Sequence, residues 1–234
     1  MIKAFKFESN NWSQERQDNN EVLRCGIGYN GHEGTNLHVD GILPYCRKER
    51  KNAIDVGARY GAFAMQFQKA GYKHVYAIEM LPKFMKPMSM NLDLSKATVY
   101  NFGAFDRTIK ATRSGKTTIN IGLGNQQMHS IDDLYLKDID LIKIDCDGPD
   151  RLILNGSIET ITKYRPTVYI EFDNGQIEWE SKYLKGELKT KDDIWKILRE
   201  KNLDYEMIVA KWKGSEYFPE QNRANLVLVP KENL

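Results

Sequence analysis

Cysteine is scarce: Cys25, Cys46 and Cys146 are the only three in 234 residues. So odd and sparse a set excludes a disulfide scaffold and points to a reducing compartment. No stretch of membrane-spanning length is apolar throughout, so no membrane partner is expected. The N-terminal Met-Ile-Lys-Ala-Phe-Lys-Phe-Glu-Ser lacks the apolar run of a secretory signal. A marked charge excess is missing too. Lys and Arg total 34 against 32 Asp and Glu, a formal charge of +2, where a dedicated polynucleotide binder normally carries a large basic surplus. Repeats and low-complexity tracts do not occur. What remains is a globular mixture, 41% hydrophobic and 28% charged, long enough for one α/β domain with appended segments. The expectation is a soluble, cytoplasmic protein.

Residues 1–50 are polar, with Asn and Gln clustered from Asn10 to Asn20 and glycines at 26, 28, 31 and 34. They read as an N-terminal cap segment, with a helix over Leu37–Arg50, ahead of a main domain over residues 51–234. From Asn52 the pattern changes. Apolar runs over 52–56, 74–79, 98–102, 140–145 and 167–172 read as strands. Helix-compatible segments over 62–70, 82–92 and 153–164 separate most of them, with Gly71 a C-cap and Pro82 a helix opener. Such alternation predicts right-handed crossovers and a largely parallel sheet. Residues 109–123 suggest an inserted hairpin, 130–134 a short capped helix, and 191–201 an amphipathic helix before last strands over 205–209 and 226–229.

The first turn carries the chemistry. Asp55-Val-Gly-Ala-Arg-Tyr-Gly61 joins a strand to a helix, where a parallel sheet binds nucleotide-like ligands. Gly57 lets the backbone approach a ligand, Ala58, Arg59 and Tyr60 form the middle of the turn, and Gly61 permits tight access to the helix. The free N–H groups beyond Gly61 suit an anion, such as the carboxylate of a cofactor that carries an amino acid. Glu79 ends the next strand, where a carboxylate accepts from both ribose hydroxyls and repels a 2′-phosphate. A full G-x-G-x-x-G is lacking, which counts against a dinucleotide. A positively charged sulfonium suits a pocket edged by Asp55, Glu79 and Asp145. The competing reading is an ordinary strand–turn–helix with solvated carboxylates; the ordered set Asp55, Gly57, Gly61, Glu79 outweighs it.

These motifs resemble those of the FkbM-type methyltransferases. Ala53-Ile-Asp-Val-Gly-Ala-Arg-Tyr-Gly-Ala-Phe63 is similar to the family's first motif, and Val75-Tyr-Ala-Ile-Glu-Met80 to its ribose-binding strand. Ile131-Asp-Asp-Leu followed by Ile139-Asp-Leu-Ile-Lys-Ile-Asp-Cys-Asp-Gly148 resembles its second signature, and Pro166-Thr-Val-Tyr-Ile-Glu171 its fifth-strand ending. The resemblance covers roughly residues 35 to 175. It implies a Rossmann-like class I methyltransferase fold, seven mostly parallel strands with an antiparallel last one. It also implies S-adenosylmethionine as methyl donor, S-adenosylhomocysteine as product, and transfer to a hydroxyl of a sugar, glycan or small metabolite. Arg59 stands where the family has a small or amide residue, and Asp147-Gly-Pro149 where Glu-Gly-Ala is more common.

Asp145 ends the fourth strand and Glu171 the fifth, so both are candidates to bind or deprotonate an acceptor. Each has a plainer reading as a hydrogen-bonding partner of cofactor or backbone. Asp145, Asp173 and Asn174 form a minor candidate set for Mg²⁺ or Ca²⁺, although Asp173-Asn174-Gly175 is also a strong turn sequence. Adenine is expected near Asn101, Gly103, Ala104 and Phe105, with Met80 against its other face; Phe105 reads equally as a core aromatic. His129 reads as a surface or capping residue before it reads as a base. Cys25, His32, His38 and Cys46 match no common zinc spacing. The lysine-rich stretch from Lys182 to Lys201 reads as a solvated face, and Trp212, Tyr217 and Phe218 as an acceptor wall or a satellite cluster. The alternatives are a nucleic-acid methyltransferase, an NAD-binding oxidoreductase and a non-catalytic cofactor-binding member. No Asp/Asn-Pro-Pro-Tyr/Phe follows the fourth strand, and Glu171 stands where a ribose 2′-O-methyltransferase wants lysine, so nucleic acid is the weaker partner.

Overall fold

Strand 139–144 is buried at all six positions and strand 52–56 at four of its five, which is the signature of strands covered on both faces. The computed structural model describes residues 2–4, 39–114, 118–121, 124–146, 148–173, 191–210 and 223–234. Its main sheet contains β1 (Asn52–Val56), β2 (His74–Ile78), β3 (Ala97–Tyr100), β8 (Ile139–Ile144), β9 (Thr167–Asp173), β10 (Tyr205–Val209) and β11 (Arg223–Pro230). Their spatial order is β10-β11-β9-β8-β1-β2-β3. Neighbours run parallel except at β11, which is antiparallel to both β9 and β10. The expected seven-stranded, Rossmann-like sheet with a reversed last strand is therefore present. The chain winds outward from β1 through β2 to β3, then returns to β8 on β1's other side. The crevice at such a reversal is where open α/β sheets bind ligands.

Alternation along each strand divides the core. Ile54, Val56, Ile142, Ile144, Val168 and Ile170 face one side, where α3 (Asp150–Asn155), α4 (Ile158–Tyr164) and α5 (Lys191–Glu200) pack. Ala53, Leu141, Tyr169 and Val227 face the other, against α1 (Ala62–Lys69) and α2 (Met85–Asn91) through Ala64, Phe67, Met85 and Met88. The α1 helix ends as expected: Gly71 adopts φ +94°, and Tyr72 N donates back to Phe67 O at 3.1 Å.

Four elements differ from expectation. Of the helix expected over Leu37–Arg50, the described residues show helix at 39–42 and a 3₁₀ turn, Leu43–Tyr45, before extended Cys46 ends it. Pro82 opens a 3₁₀ turn, Pro82–Phe84, and α2 follows it. The capped segment at 130–134 is a single 3₁₀ turn, Asp132–Leu134, with Asp133 N donating to Ser130 Oγ at 3.1 Å. One helix from Ile153 is instead α3 and α4, broken at Gly156. There a Cβ would lie 2.2 Å from Phe105 O, so only glycine allows the close approach.

A second sheet is built from β4 (Gly103–Ala104), β5 (Ile109–Ser114), β6 (Thr118–Ile121) and β7 (Gln126–His129), in the order β4-β7-β5-β6. β5 and β6 are the expected hairpin. β4 and β7 are too short and too polar to stand out in sequence; they form because Met80, Phe105, Ala111, Met128 and Leu152 close a small core between the two sheets.

Candidate functional site

Gly57 leaves β1 with φ +75°, and its N–H and that of Ala58 both donate to Ile78 O at 3.0 Å, which ties the turn to the end of β2. A Cβ on Gly57 would lie 2.2 Å from Asp145 O and 2.9 Å from Cys146 Sγ. The turn therefore packs directly on the carboxyl end of β8. Glu79, buried at the end of β2, receives Arg59 N on Oε2 at 2.9 Å and Leu81 N on Oε1 at 2.7 Å. This carboxylate fixes the first two loops against each other and explains why Arg59 holds φ +51° without being glycine.

A cleft enclosing about 40 Å³ opens between these loops. Gly57, Glu79, Met80, Gly103 and Ala104 line it, as the sequence reading anticipates. Phe102, Met128, Cys146 and Pro149 line it as well, and sequence reasoning missed them, because their approach depends on β4, β7 and the turn after β8. Sharing Phe102, a groove of about 780 Å³ extends past Asn101, Gln126, Gln127 and His129 to Pro82, Ile2 and Lys3. Asn101 Nδ2 donates to Glu79 O at 2.9 Å and Met80 O at 3.1 Å, and Gln126 also donates to Met80 O.

Other candidates lie elsewhere. Asp55 has no exposed surface: its Oδ2 accepts Ala64 N at 2.9 Å, and its Oδ1 lies 3.1 Å from Lys143 Nζ. Lys143, 2% exposed, also donates to Val56 O at 3.0 Å and Gly57 O at 3.3 Å, and sits 4.8 Å from the Phe63 ring centre. Burial disfavours its ammonium, but Asp55 and then Asp145 hold its pKa above the ordinary value. The carboxylate read as edging the cleft is thus half of a buried ion pair beneath the turn. A lysine inside the apolar run Leu141–Ile144 was the signal for its partner. Gly61 caps α1 at φ +81°, and a Cβ there would meet Met88 Cγ at 3.0 Å, so its role is packing of α1 on α2. Phe105 is wholly buried in the core between the sheets, with no ring surface on the cleft.

Tyr60 packs edge-on against Phe84 at 4.7 Å between ring centres, and the exposed Arg59 guanidinium lies over both rings. His129 is buried rather than superficial. It packs on Phe102 and contacts Thr108 Oγ1 at 3.0 Å and Gln127 Oε1 at 3.1 Å. Burial lowers its pKa, with Asp133 opposing, so the ring is neutral at neutral pH. Burial likewise pushes the pKa of the Cys146 thiol well up, which disfavours its thiolate.

Asp145 is half-buried after β8, its N–H donating to Val56 O at 3.3 Å, and Glu171 is half-buried on adjacent β9. Burial, and then the charges of Asp145 and Glu171, raise the Asp150 pKa. Among the described residues no set of three or more His, Cys, Asp or Glu is placed to hold a metal ion. Asn174 and the Asp173 side chain lie outside the described residues, as do Cys25, His32, His38, Trp212, Tyr217, Phe218 and residues 182–189. No helix among the described residues is long and apolar enough to cross a membrane.

The crystal structure of methyltransferase FkbM from Methylobacillus flagellatus KT superposes with a TM-score of 0.52 at 18% identity, covering 76% of this chain and 43% of that one. The chain thus spans less than half the length of that protein. PH0226 protein from Pyrococcus horikoshii OT3 is 12% identical, with a TM-score of 0.48 over 89% of this chain and 96% of its own. N-methyltransferase NodS from Bradyrhizobium japonicum WM9 is 13% identical, with a TM-score of 0.47 over 91% and 99%. No curated protein matches in sequence. The family model described as the methyltransferase FkbM domain matches residues 55–207, from the Asp55 of the first turn to the middle of β10. With that match over most of the sheet and every loop of the cleft, the chain belongs to the FkbM methyltransferase family.

Proposed function

We propose that this chain transfers a methyl group from S-adenosylmethionine to a hydroxyl of a sugar, glycan or small metabolite. The observation that carries the reading is the alignment, on consecutive strand ends, of Asp145 after β8, Gly57 after β1, Glu79 after β2 and Asn101 after β3. Four adjacent strands span about 14 Å at some 4.8 Å each, the scale of a nucleoside joined to an amino acid. Family membership implies S-adenosylmethionine, and the residues fit it. Gly57 puts bare backbone against the end of β8, where a Cβ would meet Asp145 O, and Glu79 sets a carboxylate on the cleft at the end of β2, the position that accepts from ribose hydroxyls in such sheets. The groove beyond Phe102 has room for a base, which the cleft alone does not.

When bound, the cofactor supplies an electrophilic methyl on a sulfonium. The chain's own work is to position it, exclude water and prepare the nucleophile. Asp145 is the residue that takes the acceptor's hydroxyl proton. Glu171, one strand farther out, orients the acceptor. A neutral alkyl hydroxyl is a poor nucleophile, so the base is needed as the C–O bond forms. Mass spectrometry of the ligands carried by purified protein, with calorimetry against S-adenosylhomocysteine, tests the reading. S-adenosylhomocysteine retained or bound supports it; selective uptake of NAD overturns it.

Gly57→Ala is expected to weaken S-adenosylhomocysteine binding at least 100-fold, about 2.7 kcal/mol. The added methyl meets a backbone carbonyl that cannot rotate away, at a φ of +75° that costs a side chain about 1–2 kcal/mol by itself. Calorimetry on protein whose far-UV spectrum is unchanged checks this.

A further inference from the structure

Asp150 is the first residue of α3 and 1% exposed. Its Oδ1 accepts from Cys146 N at 2.9 Å and its Oδ2 from Gly148 N at 3.0 Å. Burial first, then the neighbouring Asp145 and Glu171, push its pKa well above the usual carboxylate range. A fold that keeps an acid where charge is disfavoured gains something from its acceptors. The ladder between β8 and β1 ends at Asp145 N, which donates to Val56 O. Beyond it, the N–H groups of Cys146 and Gly148 sit between a strand and a helix, where buried donors need a partner. Asp150 satisfies both. The segment so closed supplies Cys146 and Pro149 to the cleft, and the Asp145 carbonyl at its start is the surface on which Gly57 packs.

We infer that Asp150 is a positioning residue: by its two hydrogen bonds it fixes Cys146 and Gly148, and with them Asp145 and Pro149, against the Gly57 turn, so that one buried acid sets the geometry of the cleft floor. The inference rests on the cleft being the S-adenosylmethionine site. Asparagine at this position would present its NH₂ to one of two N–H donors, so one bond is lost and a donor faces a donor. Glutamate keeps both acceptors on a stem one methylene longer.

The test joins amide hydrogen exchange with calorimetry. In the wild-type chain, the Cys146 and Gly148 amides are expected to be protected like those of β8. In Asp150→Asn, protection at these two amides falls at least tenfold while β8 amides keep theirs, and the Kd for S-adenosylhomocysteine rises at least tenfold. Asp150→Glu recovers part of both. Unprotected Cys146 and Gly148 amides in the wild type, or unchanged protection in Asp150→Asn, overturn the fastening. Lost protection with unchanged affinity overturns its consequence for the cofactor. If Asp150→Asn does not fold, wild-type exchange and Asp150→Glu decide the same question. Wild-type protein that binds no S-adenosylhomocysteine overturns the cofactor reading alone, since the exchange pattern still reports on the two hydrogen bonds.

Discussion

Asp145→Asn is expected to lower kcat by about 10²–10⁴-fold, the range over which a positioned general base contributes. The variant keeps side-chain volume and the backbone bond from Asp145 N to Val56 O, but removes the carboxylate as proton acceptor. Affinity for S-adenosylhomocysteine should stay within about threefold, roughly 0.7 kcal/mol, because the neutral thioether gains nothing from a nearby anion. Affinity for the cationic S-adenosylmethionine should fall more, since a sulfonium beside a carboxylate is attracted in a partly desolvated cleft. Single-turnover kinetics with an accepted hydroxyl substrate, alongside calorimetry for both cofactor forms, separates these effects. Unchanged turnover would remove Asp145 as the base and move attention to Glu171.

Lys143→Met should destabilise the fold by roughly 3–5 kcal/mol, as loss of one partner from a buried ion pair does. Methionine is one heavy atom shorter than lysine and packs well beside Phe63, so a cavity is the smaller part of the cost. It is electrostatic. Asp55, with no exposed surface, keeps the hydrogen bond from Ala64 N but loses the cation 3.1 Å away. The carbonyls of Val56 and Gly57 lose a donor in the same step. Adding Asp55→Asn should recover part of the loss, because the uncompensated charge goes with it and coupled sites are not additive. Urea unfolding of the two single variants and the double variant measures the coupling. Additive losses would show that Asp55 and Lys143 do not act as a pair.

Much of this protein is legible in order along the chain. A strand, a glycine turn, a helix and an acid at the next strand end are local features. Gly57 and Glu79 are readable as a pair because β1 and β2 are consecutive and must lie side by side. Runs such as Leu141–Ile144, apolar but for Lys143, announce a buried parallel strand because covered faces admit few other residues. Asp55 shows where such reading stops. As a carboxylate at a strand end beside a glycine turn it looks like part of a ligand pocket; its neighbour across the sheet, Lys143, turns it into a support beneath that pocket. Phe105 is similar: only the packing of Met128 and Leu152 decides that its ring is core.

The fold class, the glycine turn after β1 and the acid at the end of β2 are local in sequence, since periodicity and turn chemistry act over a few residues. Only the assembled fold separates the carboxylates: Asp55 and Asp150 are buried supports, and Glu79 lines the cleft. Asp55, Asp145, Asp150 and Glu171 are the same chemistry in sequence, and burial, cations and N–H donors brought from distant strands give them different roles.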